Sequence, residues 1–161
     1  MFNRELYEQK GLQPPETLAE FMKTAKALNK IDGKIAGAAI RGFRGAGQNM
    51  YIWPSLFLAW GGKWFDANGK PLVNSEPGVK SLEYYCELLQ NYGPAGVENW
   101  NWPEIMEAFA GRSIAQFIDS NSTASIIENP KKSKMAGKTG YQRWPKGPSG
   151  RRVSSIWNWT M

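Results

Sequence analysis

Histidine is absent from the 161-residue chain, and cysteine occurs once, as Cys86. Without an imidazole, a His-ligated zinc site, a Ser–His–Asp triad and a Cys–His nucleophile pair are all excluded within these residues. A single cysteine excludes an internal disulfide framework. No apolar run approaches the ~20 residues that a helix needs to span a bilayer. The opening residues, MFNRELYEQKG, contain no apolar signal core. The expectation is a chain that is either cytosolic or without its natural start.

Acidic residues are missing from one end. Residues 1–128 hold 12 Lys/Arg and 14 Asp/Glu, whereas residues 129–161 hold eight Lys/Arg and no acid. The overall charge of +6 is therefore owed to the C-terminal third. A basic end suits nucleic acid or an anionic membrane, but it equally suits a solvated loop balanced by acids elsewhere.

Aromatic residues are plentiful by comparison: eight Trp, six Tyr and seven Phe. Many belong in a core, since each ring buries ~150–250 Å². Several instead stand beside Gly, Asn or Pro in loop-like contexts. There, aromatic faces next to amides and carboxylates suit sugars or nucleobases.

Helical and extended patterns alternate along the chain. Pro14-Pro15 precede Thr17-Leu-Ala-Glu20, a capping box, and Leu18, Phe21, Met22, Ala25 and Leu28 then share one helical face. Ile35 to Ile40 reads as a short buried strand. Met50 to Trp60 reads as a helix started or kinked at Pro54. Ala67-Asn68-Gly69-Lys70 marks a hairpin turn. The longest helix is expected from Pro77 to Asn91, with Val79, Leu82, Tyr85, Cys86 and Leu89 buried. Cys86 reads as a small core residue. A shorter helix starts at Asn101 with Glu104 as its capping partner, burying Ile105, Met106 and Phe109. Ser113 to Ile118 reads as a strand leading into the cap-rich Asp119-Ser-Asn-Ser-Thr123 and a helix ending before Pro130. Gly140 to Trp144 and Val153 to Met161 read as strands. The mixture, with helices dominant, predicts one domain of the α/β or α+β class. The last strand pattern is cut short at Met161, so the chain is expected to be a truncation.

Three constellations could carry chemistry. Gly42-x-x-Gly45-x-Gly47 lies between a strand and a helix with Arg41 and Arg44 beside it. Its backbone N–H groups could cradle a phosphate at a helix start. The spacing fits neither a P-loop nor a dinucleotide fingerprint, and the other readings are a tight turn with positive φ or a loop whose end holds a neutral polar ligand. Glu104 and Glu107 could serve as an acid–base pair, but at i and i+3 they more simply form a solvated face. Asp119 is delivered by an apolar strand to a polar turn. It could accept ligand hydroxyls in charge-assisted hydrogen bonds or cap the following helix. Both roles stay open. The sequons at Asn121 and Asn158 are short matches without an assigned role.

In this order, the motifs resemble the extracellular solute-binding proteins of bacterial ABC sugar importers. The resemblance is carried by Leu6-Tyr-Glu-Gln-Lys-Gly-Leu12, the Pro15-Glu-Thr-Leu-Ala-Glu20 helix start and the loop ending Gly47-Gln-Asn-Met50. It continues through Gly61-Gly-Lys-Trp-Phe-Asp66, Asn91-Tyr-Gly-Pro94 and Ala108-Phe-Ala-Gly-Arg112. Phe117-Ile-Asp119, Ala136-Gly-Lys-Thr-Gly-Tyr141 and Ile156-Trp-Asn-Trp159 complete it. It implies an α/β fold, one lobe of a type II periplasmic-binding-protein fold, helix-rich with a small mixed sheet. Residues 1–161 would be the second lobe of a two-lobe protein, cut at both ends and lacking the signal peptide.

The function implied is non-enzymatic binding of a sugar or polyol, without cofactor or metal, for delivery to an ABC permease. The complete protein would then be periplasmic or extracytoplasmic, meeting the membrane only through the permease. Carried over by position, the ligand-binding residues are Arg44, Asn49, Tyr51, Asp119, Trp157 and Trp159. The residues themselves give no ground for choosing between Trp157 and Trp159. The alternative is single-stranded nucleic-acid binding by the basic, Trp-containing C-terminal third, with bases stacked on Tyr141, Trp144, Trp157 or Trp159.

Overall fold

The computed structural model describes residues 1–154. Its elements are β1 (Phe2–Asn3), α1 (Arg4–Gln9), α2 (Leu18–Leu28), α3 (Trp53–Ala59), α4 (Glu76–Glu87), α5 (Trp102–Ala110), α6 (Ala124–Ile127) and β2 (Thr139–Gly140). Strands β1 and β2 pair antiparallel, with Phe2 opposite Gly140. Isolated bridges widen this pair into a small mixed arrangement. Phe2 bridges Gln116 antiparallel, while Ala36 and Ala39 bridge Ile114 and Phe117 in parallel. The expected strands at 35–40 and 113–118 thus run side by side, held by bridges rather than a continuous ladder.

Small residues permit this arrangement. A Cβ on Gly37 would lie 2.0 Å from the Ala25 carbonyl oxygen, so only glycine lets the segment rest directly on α2. Helix α2 starts as its sequence predicts, with the reciprocal Thr17–Glu20 capping box in place. Helix α5 has the equivalent Asn101–Glu104 box. Glu104 is therefore occupied at a helix start, where its carboxylate accepts the Asn101 backbone N–H at 2.9 Å. This removes the free acid–base pair considered with Glu107.

Helix α4 departs from expectation. Gly78, Ser81, Tyr85 and Leu88 are buried along it, whereas Val79 and Leu82 are 48% and 47% exposed. The buried stripe is turned by about one residue, because closeness rather than side-chain apolarity decides which face packs. An added Cβ on Gly78 would fall 1.9 Å from the Val73 carbonyl oxygen and 3.6 Å from the Phe57 ring. Ser81 meets burial by donating its hydroxyl to the Gly78 carbonyl at 2.9 Å. Past Glu87 the chain continues in a wider π-helical turn, Leu88–Tyr92, which accounts for the expected helix end near Asn91.

Other expectations shorten. Of the segment 50–60, only Trp53–Ala59 is α-helical, and Met50 and Tyr51 belong to the tight 3₁₀ turns of Gly45–Tyr51. The Asn68-Gly69 turn closes a hairpin through the Asp66 N–H to the Lys70 carbonyl, with Gly69 at φ 78°. Of the strand expected at 140–144, only Gly140 joins the β2 ladder. Most of the strand expected from Val153 to Met161, including Trp157 and Trp159, lies outside the described residues.

The core forms three adjoining clusters. One joins α2, α3 and α4 through Leu18, Phe21, Leu56, Tyr85 and Leu88, with Cys86 partly buried against it. A second joins α5 to the 114–117 segment through Ile105, Phe109, Ile114 and Phe117. The third packs α1 and β1 on Leu28, Ile31, Ile35 and Ala115. All three clusters draw on the paired segments 36–39 and 114–117, which end together at one edge.

Candidate functional site

Both paired segments are apolar, and each is followed by one charged residue at or just beyond its end. Ile40 is followed by Arg41, and Ile118 by Asp119. Because Ala39 bridges Phe117 in parallel, the two charges emerge at the same edge. Arg41 Nε donates to Asp119 Oδ2 at 2.7 Å, and Nη2 donates to Oδ1 at 2.5 Å. The side chains are only 12% and 2% exposed. A bidentate pair of this kind has the planar geometry that a guanidinium and a carboxylate share.

Neighbouring groups fix the arginine on several sides. Its Nη1 donates to Gln48 Oε1 at 2.7 Å. The Tyr51 ring centroid lies 5.0 Å from its Cζ, within cation–π range. Its backbone carbonyl accepts the Tyr85 hydroxyl from α4 at 2.5 Å. Burial pushes the Tyr85 hydroxyl up to about 12, so it remains a donor across the physiological range.

The Gly-rich loop brings Gln48, Asn49 and Tyr51 into place. Gly42 and Phe43 donate their N–H groups to the Trp100 carbonyl. A Cβ on Gly42 would sit 2.4 Å from the Val97 carbonyl oxygen. The chain then reverses through Ala46 at φ 50° and Gly47 at φ 67°. The Gly47 N–H meets the Arg44 carbonyl, and the Asn49 N–H meets the Phe43 carbonyl. With these four N–H groups used internally, the loop is a scaffold for side chains rather than a phosphate cradle.

Asp119 does not cap the helix after it. The cap of the 121–123 turn is Ser120, whose hydroxyl accepts the Ser122 N–H at 3.2 Å. Asp119 Oδ1 instead accepts the Ser120 N–H at 2.6 Å. Asp119 also lines a small groove of about 80 Å³, together with Phe117, Ile118, Gln142, Arg143 and Trp144. Among the described residues, no cluster of three His, Cys, Asp or Glu side chains could hold a metal ion.

Of the residues expected to bind ligand, Asp119 and Tyr51 converge on Arg41, and Asn49 lies half-buried between Gln48 and Tyr51. Arg44 is exposed on the outer side of the turn. Trp157 and Trp159 lie outside the described residues. The central residues that sequence reasoning passed over are Arg41 and Gln48. The signal for Arg41 was its place directly after a buried apolar run, the counterpart of Asp119. No helix among the described residues is long and apolar enough to cross a membrane.

Known proteins match this chain along its whole length. The sequence pattern of bacterial extracellular solute-binding proteins covers residues 1–161. A mannitol-binding protein of Pseudomonas aeruginosa is 28% identical over 162 residues, covering 99% of this chain and 37% of its own length. A solute-binding protein of Agrobacterium vitis S4, crystallised with D-mannitol, superposes with a TM-score of 0.88 at 28% identity. It covers 94% of this chain and 37% of that one. A protein from Agrobacterium radiobacter K84 in complex with ribitol superposes with a TM-score of 0.84, also at 28% identity, over 94% and 38%. This chain thus spans little more than a third of the length of these relatives. The fold is the helix-rich periplasmic-binding-protein fold with a small sheet. By its sequence pattern over all 161 residues, the chain belongs to the bacterial extracellular solute-binding protein family.

Proposed function

We propose that this chain is a ligand-binding lobe of a non-enzymatic receptor for a sugar or polyol. It would form the second lobe of a protein that works outside the cytoplasmic membrane and hands its ligand to an ABC-type permease. The observation that carries this reading is the buried Arg41–Asp119 pair beside the Tyr51 ring, at the common end of two paired segments. An aromatic face covers the C–H surface of a polyhydroxy compound, while a few convergent polar groups meet its oxygens. Relatives at 28% identity that are named for mannitol binding, or hold mannitol or ribitol, support the same ligand class.

No observation favours the nucleic-acid alternative. Lys138 and Arg152 of the basic third are already paired with Glu5 and Glu16. The test is calorimetric titration of the protein expressed from the whole reading frame that carries these residues. D-mannitol, ribitol and erythritol form the panel, at 50 and 300 mM salt. Saturable binding of at least one polyol, nearly independent of salt, is the expected result. A salt-steep affinity for single-stranded DNA, with none for the polyols, would replace this reading with its rival.

A further inference from the structure

The pairing of Arg41 with Asp119 has a consequence for which group touches the ligand. A carboxylate offers about four lone-pair sites. Asp119 has three engaged, two by Arg41 and one by the Ser120 N–H, and its side chain is 2% exposed. Little of it is left to receive a hydroxyl. Arg41 has five N–H donors, of which Nε, one on Nη2 and one on Nη1 are used.

Among the described residues no partner takes the other two donors, on a side chain that is 12% exposed. Gln48 is oriented by the same contact. A guanidinium has no acceptor, so only the amide oxygen of Gln48 faces it, and the NH₂ group is turned away with both hydrogens.

We propose that Arg41 and Gln48 form a donor face that reads the ligand's oxygen lone pairs, and that Asp119 is a positioning residue holding Arg41. This rests on the receptor reading above and deepens it to a substrate class. The ligand is a neutral polyhydroxy compound, because Asp119 already balances the guanidinium charge and would repel a ligand carboxylate brought to the remaining donors. Gln48 is accordingly a specificity residue, selecting an acceptor oxygen at its position. The reach of Arg41 is set by Asp119, Tyr51 and the Tyr85 hydroxyl together.

The proposal predicts a gain as well as a loss. Asp119→Asn keeps the shape of the side chain but releases a guanidinium fork that matches a carboxylate bidentately. The whole-frame protein and its variants would be titrated with D-mannitol and ribitol, and with the aldonates of the same chains, D-mannonate and D-ribonate. Circular dichroism and thermal unfolding would check the fold of each variant.

Wild type is expected to bind a neutral polyol and to bind the matching aldonate at least about tenfold more weakly, a charged hydrogen bond being worth that factor or more. Asp119→Asn should lose polyol affinity and gain aldonate affinity, each by about tenfold. Arg41→Gln should lose polyol affinity, and adding Asp119→Asn to it should cost less than about threefold more and restore no aldonate binding. Gln48→Leu should weaken the polyol by several-fold while leaving unfolding unchanged.

Three results would overturn the proposal. One is a large further loss from Asp119→Asn in the Arg41→Gln background, which would mean that Asp119 touches the ligand itself. Another is equal affinity of wild type for polyol and aldonate. The third is an unaffected Gln48→Leu variant. A folded wild type with no affinity for any polyol would instead reject the receptor reading and the donor face with it.

Discussion

Tyr85 donates its hydroxyl to the backbone carbonyl of Arg41 at 2.5 Å, tying the middle of α4 to the end of the segment that carries the guanidinium. The tie spans 44 residues of sequence and joins the helical core to the candidate site. The ring is buried, and among the described residues no other group donates to that carbonyl. Tyr85→Phe keeps the ring and removes the donor. Leaving such a carbonyl unmet costs about 1–3 kcal/mol. Urea unfolding of the variant should show a loss in that range with an unchanged m-value. Polyol affinity should also fall, since Arg41 loses one of its anchors.

A second expectation concerns the inner face of α4. In a solvent-exposed helix, Gly→Ala gains about 1 kcal/mol of helix propensity. At Gly78 the new methyl would meet the Val73 carbonyl oxygen at 1.9 Å, which backbone must yield to. Overpacking of this kind costs about 1–3 kcal/mol. Gly78→Ala should therefore destabilise the protein, against the propensity trend. Val79→Ser and Leu82→Gln, at positions nearly half exposed, should change stability by less than about 0.5 kcal/mol. Thermal unfolding of the three variants tests the orientation of the helix directly.

That helix also shows where the sequence was legible and where it was not. Helices α2 and α5 were readable because cap and stripe agree: Thr17–Glu20 and Asn101–Glu104 mark the starts, and the large apolar residues are the buried ones. In the first turns of α4, Val79 and Leu82 lie outside, and the small Gly78 and Ser81 form the contact beside Tyr85. Periodicity in hydrophobicity cannot register a close approach that needs Gly78 and Ser81. In the site, Asp119 was legible as an acid delivered by an apolar run. Arg41 stands in the same relation to Ile35–Ile40, but its partner lies 78 positions away. Gln48 carries no local signal at all. Its role depends on a loop reversal at Ala46, a residue type that seldom adopts φ 50°.

The pH response of the 128–141 region is worked out from Glu128. Its carboxylate accepts the Gly137 N–H at 2.7 Å and the Tyr141 hydroxyl at 2.7 Å. The Gly137 bond is the largest cause that holds its pKa below the usual carboxylate value. A depressed pKa contributes stability that is present above the unfolded value and is lost as pH falls through the folded one. The loss should therefore begin as pH falls toward the usual carboxylate pKa of about 4.3 and continue through the lower folded-state value. Glu128→Gln removes this dependence. Its unfolding free energy should be lower than wild type at pH 7 by less than about 1 kcal/mol, the group being mostly solvated. The gap between the two should shrink as pH falls. Parallel unfolding curves at pH 7, 5, 4 and 3 provide the check.

The last expectation concerns a buried polar knot beneath the site. Gln116 is fully buried in the segment that ends at Asp119. Its amide oxygen accepts hydroxyls from Tyr7 of α1 and, at 3.1 Å, from Thr24 of α2. Its amide nitrogen donates to the Phe21 carbonyl at 3.0 Å. One side chain thus satisfies groups on two helices, and burial pushes the Tyr7 hydroxyl up to about 12. Gln116→Leu fills similar space but takes the partner from two hydroxyls and a carbonyl. Thr24 can turn to the Phe21 carbonyl, which it also reaches at 3.0 Å, so the Tyr7 hydroxyl is the group left unmet and the loss should be about 1–3 kcal/mol. Tyr7→Phe alone should cost less, because Gln116 keeps Thr24 as a donor. In the Gln116→Leu background, Tyr7→Phe should restore part of the stability by removing a stranded hydroxyl. The double-mutant cycle in urea decides the matter. Additive losses would mean that Tyr7 and Gln116 do not depend on one another, and that the knot does not join α1 to the strand bearing Asp119.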